Sequence, residues 1–286
     1  MHRSIFLVIT VVVAASGVLS QTPNISDPAV ALFKQGRFAE AERLVDPLLK
    51  KHKSDFDSIL LKGRIALFSN KLSDAEKWLT KAKELRPDSK ETLAALAEVY
   101  YRRNELAKAG ALLRQAGRDS IAKKLESFAD QKAYEIEAKR DVTEVKFVQT
   151  DPLPLIKVKI NDGEEVFFLI DTGGGEVIVD SEFATKNNIT SFGTEQGTFG
   201  GGRQSAVQQG RIDSISLGDF RVKNLPVNIL DTKRFAAVAG GRRVDGIIGT
   251  ILLSRFLSTL DYPGAKLVLR KNTEANSKTL AKNKSV

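Results

Sequence analysis

Three alanines, Ala41, Ala75 and Ala109, stand 34 residues apart, each in the same local frame. The frames read Gln35-Gly36-Arg37-Phe38-Ala39-Glu40-Ala41, Asn70-Lys71-Leu72-Ser73-Asp74-Ala75 and Asn104-Glu105-Leu106-Ala107-Lys108-Ala109. A turn former comes first, an apolar residue two positions later, and the alanine three after that. The same spacing relates Val45, Leu79 and Leu113, and also Ala82 and Ala116. Between these marks apolar residues fall at helical spacing, as at Leu93, Leu96, Ala97 and Tyr100. A short unit of this kind cannot bury its apolar face alone, so neighbouring units must stack. The expected architecture over residues 24–137 is an array of paired helices, with small residues such as Gly63 where helices approach closely. Asp27-Pro28 should open a shortened first helix, and Pro87-Asp88-Ser89 should end one helix and cap the next. Ile121, Leu125 and Phe128 extend an apolar stripe from Asp119 to about Glu137, read as a helix that caps the stack.

From about Asp141 the period changes from helical to alternating. Leu155–Ile160 and Glu165–Ile170 read as strands around the hairpin turn Asn161-Asp162-Gly163. Further strands are expected at Gln204–Leu217, Phe220–Ile229, Ser258–Asp261 and Lys266–Arg270, with two short helices near Ser181–Asn187 and Thr250–Leu257. The fold class is therefore multidomain, an α-helical array followed by a mainly β domain at 142–270. The tail at 271–286 is lysine-rich with little apolar content, and it is expected to be disordered.

The inventory narrows the chemistry. The chain has no cysteine and two histidines, His2 and His52. That removes disulfides, thiolate nucleophiles, cysteine-held metals and multi-histidine sites. Neither a cofactor nor a metal is expected, and carboxylates, hydroxyls, Lys and Arg remain to act. Met1-His2-Arg3-Ser4 precedes an apolar run from Ile5 to Leu19, short against the ~20 residues that span a bilayer. Residues 1–20 read as a signal peptide cleaved after Ser20, with an uncleaved anchor as the alternative. Either reading places the mature chain outside the cytoplasm, periplasmic or secreted. The net charge of +9 favours anionic surfaces without naming one. Export and the lack of any nucleic-acid motif set nucleic acid aside, and membrane contact is expected only if the leader stays uncleaved.

The repeat frame over roughly 24–118 resembles the tetratricopeptide repeat, a 34-residue helix–turn–helix unit. An unrelated bundle of helical hairpins is the alternative. The resemblance implies a face that receives a protein or peptide partner, and no chemistry. In the second half, Val166-Phe167-Phe168-Leu169-Ile170 runs straight into Asp171-Thr172-Gly173-Gly174-Gly175. Later come Asp245-Gly246-Ile247-Ile248-Gly249, the apolar stretch Ile251–Phe256, and Leu260-Asp261-Tyr262-Pro263-Gly264. Together these blocks resemble the retropepsin-like aspartic proteases, single-lobe forms found in bacterial proteins, over about 142–270.

That resemblance implies a catalytic carboxylate at Asp171, with Thr172 and Gly173 supporting its loop and Ile247, Ile248 and Gly249 beneath it. It implies a substrate flap at Gly200, Gly201 and Gly202, for which a plain glycine-rich loop is the alternative. Gly174 departs from the alanine usual in the family, and Thr250 stands where retroviral members carry arginine. Only one Asp-Thr-Gly is present: Asp231-Thr232 is followed by Lys233, and Asp245 and Asp261 read as turn residues. The second carboxylate would then come from another copy of the chain across a two-fold axis. The implied activity is that of an exported, homodimeric aspartic endopeptidase acting on polypeptides. Two other readings stand beside it: a non-catalytic binding or scaffold protein that uses this domain to dimerise, and, more remotely, a serine hydrolase built on His52.

Overall fold

The backbone turns left-handed where the repeat frame begins. Gly36, Asn70 and Asn104, one period apart, have φ of 75°, 56° and 64°, the region that glycine and asparagine enter at least cost. The structure is a computed structural model describing residues 28–199 and 203–283. The leader at 1–20 and the residues Gly200, Gly201 and Gly202 lie outside the described residues. The described chain divides after Glu126 into a helical unit and a β unit.

The helical unit runs α1 (Pro28–Lys34), α2 (Phe38–Lys51), α3 (Phe56–Phe68), α4 (Leu72–Leu85), α5 (Lys90–Arg102), α6 (Leu106–Gln115) and α7 (Asp119–Glu126). Ala41, Ala75 and Ala109 are fully buried. A Cβ on Gly63 would lie 2.8 Å from the Leu79 side chain, so α3 and α4 meet where only glycine fits without a shift. Pro28 is the first helical residue of the short α1. Ser89 caps α5 by accepting from the Thr92 amide, and Asp55 does the same for α3 through Ser58.

The capping helix is shorter than its apolar stripe suggests. It ends at Glu126, and residues 127–137 belong to the β unit. Tyr134 takes a φ of 54°, so no helix runs on to Glu137, and Phe128 lies under the Arg211 guanidinium of the β unit, 5.0 Å from its ring. The alternating Glu135-Ile136-Glu137-Ala138 then forms a strand.

The strands of the β unit are β1 (Glu135–Ala138), β2 (Val142–Gln149), β3 (Leu155–Ile160), β4 (Glu165–Ile170), β5 (Val177–Asp180), β6 (Thr190–Thr198), β7 (Gln204–Leu217), β8 (Phe220–Leu230), β9 (Gly246–Ile248), β10 (Phe256–Asp261) and β11 (Lys266–Lys271). Two short helices, α8 (Ser181–Lys186) and α9 (Thr250–Leu253), and a 3₁₀ turn at Lys233–Val238 connect them. Sequence periodicity misses β1, β2, β5, β6 and β9. β9 spans three residues, and β5 is buried on every residue, so neither shows alternation. β3, β4, β9, β5, β8 and β7 pair in that order, and β7 returns to β3 through Ile160↔Ile215, closing a barrel. β2, β11 and β10 extend from β3 as a side sheet, and β1 adds to β8.

The β3–β4 turn has Asn161 and Asp162 at φ 48° and 60°, the two left-handed residues of a tight hairpin. Arg221 grips the Asp162 carboxylate with two bonds of 2.6 Å. The tail departs from the expected disorder. After β11 a helix, α10 (Glu274–Asn283), forms on local terms: Thr273 accepts from the Asn276 amide, and Lys278 pairs with Glu274 one turn away. Low apolar content does not forbid a helix stabilised that way.

Candidate active site

β9 determines where Asp171 sits. This strand runs parallel to β4, with Phe168↔Gly246, Leu169↔Ile247 and Ile170↔Ile248, and antiparallel to β5. Buried on both sides, it needs residues of two sizes. A Cβ on Gly246 would clash with the Phe168 ring and the Ile178 carbonyl, and one on Gly249 with the carbonyls of Gly175 and Glu176. The isoleucines between them fill the core, with Ile248 fully buried. The Ile248 carbonyl accepts the Asp171 amide at 3.0 Å, so β9 sets the position at which β4 releases its chain into the loop.

The loop that follows is tied at both ends. Asp171 is 8% exposed, and its Oδ1 accepts from the Gly173 amide at 2.8 Å. Burial pushes its carboxyl above the usual range, while the amides of Gly173 and Gly174 act in the opposite direction without cancelling it. On the far side, Thr250 donates to the Gly174 carbonyl through its amide at 2.8 Å and its hydroxyl at 2.9 Å. The Ile251 amide does the same for Gly175 at 2.9 Å. Thr250 is therefore a clamp on the Asp171 loop within one chain. Sequence reasoning notes this residue only as a departure; the signal was its place at the start of a helix directly after Gly249.

The other expected loop residues divide. Gly173 supplies the amide to Asp171, the Ile248 carbonyl accepts the Asp171 amide, and Gly249 lies against the backbone of Gly175 and Glu176, while Ile247 pairs with Leu169 in the core. Thr172 does not support it: the residue is exposed, and its hydroxyl makes no hydrogen bond among the described residues.

Side chains two apart on a strand share a face, so Leu169 faces the same side as Asp171. Leu169 belongs to an apolar cluster with Ile178, Ile247, Phe199 and Phe235. Phe199 comes from the end of the β6–β7 hairpin, where its amide bonds the Arg203 carbonyl at 2.8 Å, and it is 6% exposed. The Arg234 guanidinium stands over both Phe199 and Phe235, at 5.6 and 4.8 Å. The hairpin that carries the glycine-rich run therefore reaches the apolar face that β4 shares with Asp171.

The remaining carboxylates of the barrel lie elsewhere. Asp245 opens β9 opposite Phe167, four residues from the level of Asp171, or ~13 Å along the strand. It is no turn residue. Its buried carboxylate accepts from the Phe167 amide at 3.1 Å and pairs with Arg243 at 2.7 Å. Asp180 joins the same end, since its amide bonds the Asp245 carbonyl. Burial of Asp180 is outweighed by the amides of Phe183 and Thr232, the Thr232 hydroxyl and Arg243, which hold its carboxyl below the usual range. Asp231 follows β8 at that end and accepts from the Lys233 amide. Asp261, in the side sheet, accepts from the Gly264 amide as a turn residue should. Glu176 alone shares the Asp171 loop, half-buried with its backbone against Gly249. His52 is exposed at the end of α2, in the other unit. Among the described residues no group of His, Asp and Glu could hold a metal ion.

Comparison with known proteins finds one family-model match in each unit. Residues 156–252 match the model of an aspartyl protease family. Residues 29–90 and 60–120 match that of the tetratricopeptide repeat. Among solved structures, a retropepsin-like aspartic protease from Rickettsia conorii is 18% identical, covering 48% of this chain and 95% of its own, with a TM-score of 0.34. No curated protein sequence matches the chain.

Proposed function

We propose that the β unit is an aspartic endopeptidase whose active site is completed by a second copy of the chain, with Asp171 supplying one carboxylate from each. The observation that carries this reading is the isolation of Asp171. Burial pushes its carboxyl above the usual range, while Asp180, Asp231 and Asp245 are bound at the far end of the barrel strands. Two such carboxyls facing each other share one proton, because like charges that close cannot both ionise. The ionised member takes a proton from water as the water oxygen attacks the peptide carbonyl carbon. The protonated member donates a hydrogen bond to the carbonyl oxygen as it becomes an alkoxide. Collapse of that intermediate breaks the C–N bond, and the amine leaves with a proton.

The leader at 1–20 would carry the protein out of the cytoplasm, and the helical repeats would hold a protein or peptide partner. The test is hydrolysis of a mixed peptide library by the wild-type chain and by Asp171→Asn, which keeps size but cannot act as a base. Loss of about 10³-fold or more is expected. Undiminished turnover by Asp171→Asn, with contaminating proteases excluded, removes the assignment. Absence of hydrolysis by a properly dimeric wild type would favour the scaffold reading.

A further inference from the structure

The repeat register carries a consequence for the outer surface of the helical unit. Leu44 on α2 and Trp78 on α4 are one period apart, so they occupy equivalent positions on successive helices. Leu44 is 42% exposed, Leu85, two turns beyond Trp78, is 40% exposed, and Trp78 is half-exposed. The third position of the series, Leu112, is buried at the end of the array, where α7 packs against α6. The first two repeats thus leave apolar side chains at positions that the third covers.

Cations surround them. Lys77 and Lys81 each stand 5.8 Å from the centre of the Trp78 ring. The Lys81 ammonium donates to the Lys53 carbonyl at 2.7 Å, which joins the Lys50-Lys51-His52-Lys53 corner to the tryptophan. Lys50, Lys51, Lys53 and Lys77 are exposed and make no ion pair among the described residues. The nearby acids Asp46 and Asp57 are taken by Lys62 and Arg86, leaving Asp74, one turn before Trp78, and Glu84, beside Leu85, as exposed acids against the lysines.

We infer that this face, comprising Leu44, Trp78, Leu85 and the lysines around them, docks on the surface of an anionic lipid bilayer. A bilayer interface offers what the face asks for. Acyl chains lie just beneath a layer of negative headgroups, and an indole with flanking ammonium groups suits that boundary. An acidic polypeptide would satisfy the lysines and leave Leu44 and Leu85 in water. The contact is separate from any anchoring by the leader, because it uses residues of the folded repeats.

Trp78 is the one tryptophan in the chain, so its fluorescence reports this face and no other. The full chain is titrated with vesicles of equal parts phosphatidylglycerol and phosphatidylcholine, and with phosphatidylcholine alone. On the anionic vesicles, Trp78 emission should shift to the blue and be quenched by lipids brominated in the acyl chains. Phosphatidylcholine should leave it unchanged, and salt near 0.5 M should reverse the shift, because exposed charges are then screened within a few ångströms. Replacing Lys50, Lys51 and Lys53 together by Ser should weaken the transition about a hundredfold. Replacing Lys157 and Lys159, exposed on β3, by Ser should barely move it, where Lys50 and Lys51 replaced as a pair weaken it by about thirtyfold, and circular dichroism should show all variants folded. Vesicle binding without a change at Trp78 overturns the proposal, as does equal weakening by the β3 variant. A response to polyglutamate but not to vesicles also overturns it and assigns the face to acidic proteins.

Discussion

Asp171 and Asp180 are both buried carboxyls at strand ends, and their surroundings give them opposite effects on stability. Asp180 accepts from two helix amides, from Thr232 and from Arg243, and its carboxyl sits below the usual range. Its contribution is therefore present above the unfolded pKa of about 4 and is lost as pH falls through its folded value. Asp171 is buried with two backbone amides and no cation among the described residues, and its carboxyl sits above that range. The folded chain favours its protonated form, so that contribution is full below about pH 4 and is lost as pH rises through the folded value. Asp171→Asn should then raise thermal stability at neutral pH, by the order of 1 kcal/mol typical of relieving a functional site. The gain should disappear near pH 3. Asp180→Ala should destabilise by about 2–4 kcal/mol at neutral pH, through the lost cap and the stranded Thr232 amide, and by less in acid. Melting curves at the two pH values check both. A neutral-pH loss for Asp171→Asn would mean that its carboxylate is held by something other than Gly173 and Gly174.

Elements were legible to the degree that they repeat. The helical array announced itself through turns at Gly36, Asn70 and Asn104, because one physical requirement, a left-handed residue, recurs on a fixed period. β3 and β7 were legible through alternation, and β4 as an apolar run following the Asn161-Asp162-Gly163 turn. β9 was not, for its three residues carry no period, and its role rests on glycines whose reason is a neighbour far away in sequence. Gly246 answers to Phe168 and Gly249 to Gly175, contacts that only the folded barrel creates. The same holds for Thr250, whose two bonds to Gly174 no local pattern announces. Asp171 was found through its tripeptide; the clamp around it was not. Gly63 and Gly249 give a paired test. Gly63→Ala meets flexible Leu79 atoms and gains about 1 kcal/mol of helix propensity, against overpacking of about 1–3 kcal/mol, so the net loss should stay near 1 kcal/mol with hydrolysis unchanged. Gly249→Ala meets backbone carbonyls of the Asp171 loop and should cost about 3 kcal/mol or more. Hydrolysis by whatever fraction remains folded should also fall, since the loop itself must move. Urea melts alongside peptide hydrolysis separate the two effects, and a fully active Gly249→Ala chain would show that the loop position is not critical.

At the scale of the molecule, the question is how many chains make one active site. The boundary comes first. The change of period suggests a cut near Asp141, but β1 pairs with β8, Tyr134 stands under Arg255 at 4.4 Å, and Arg211 bonds the Ser127 carbonyl at 2.8 Å. A chain starting at Ser127 should therefore fold as a β-rich unit, and one starting at Asp141 should be less stable by several kcal/mol. Equal melting of the two would place residues 127–140 outside the cooperative unit. Assembly then follows from the count of carboxylates. Asp245, just before β9, is tied to Phe167 and Arg243 at the end of that strand away from Asp171. If two copies of Asp171 form the dyad, specific activity must fall on dilution as the dimer dissociates, in step with the sedimentation of the same samples. Mixing provides a sharper form. With a ninefold excess of Asp171→Asn and random exchange, about one wild-type chain in ten meets another wild-type chain. Activity per wild-type chain should then drop about tenfold, where a self-sufficient monomer would lose none. A species that is fully active and sediments as a monomer would reject the shared site, and Glu176, on the Asp171 loop, would be the carboxylate to replace next.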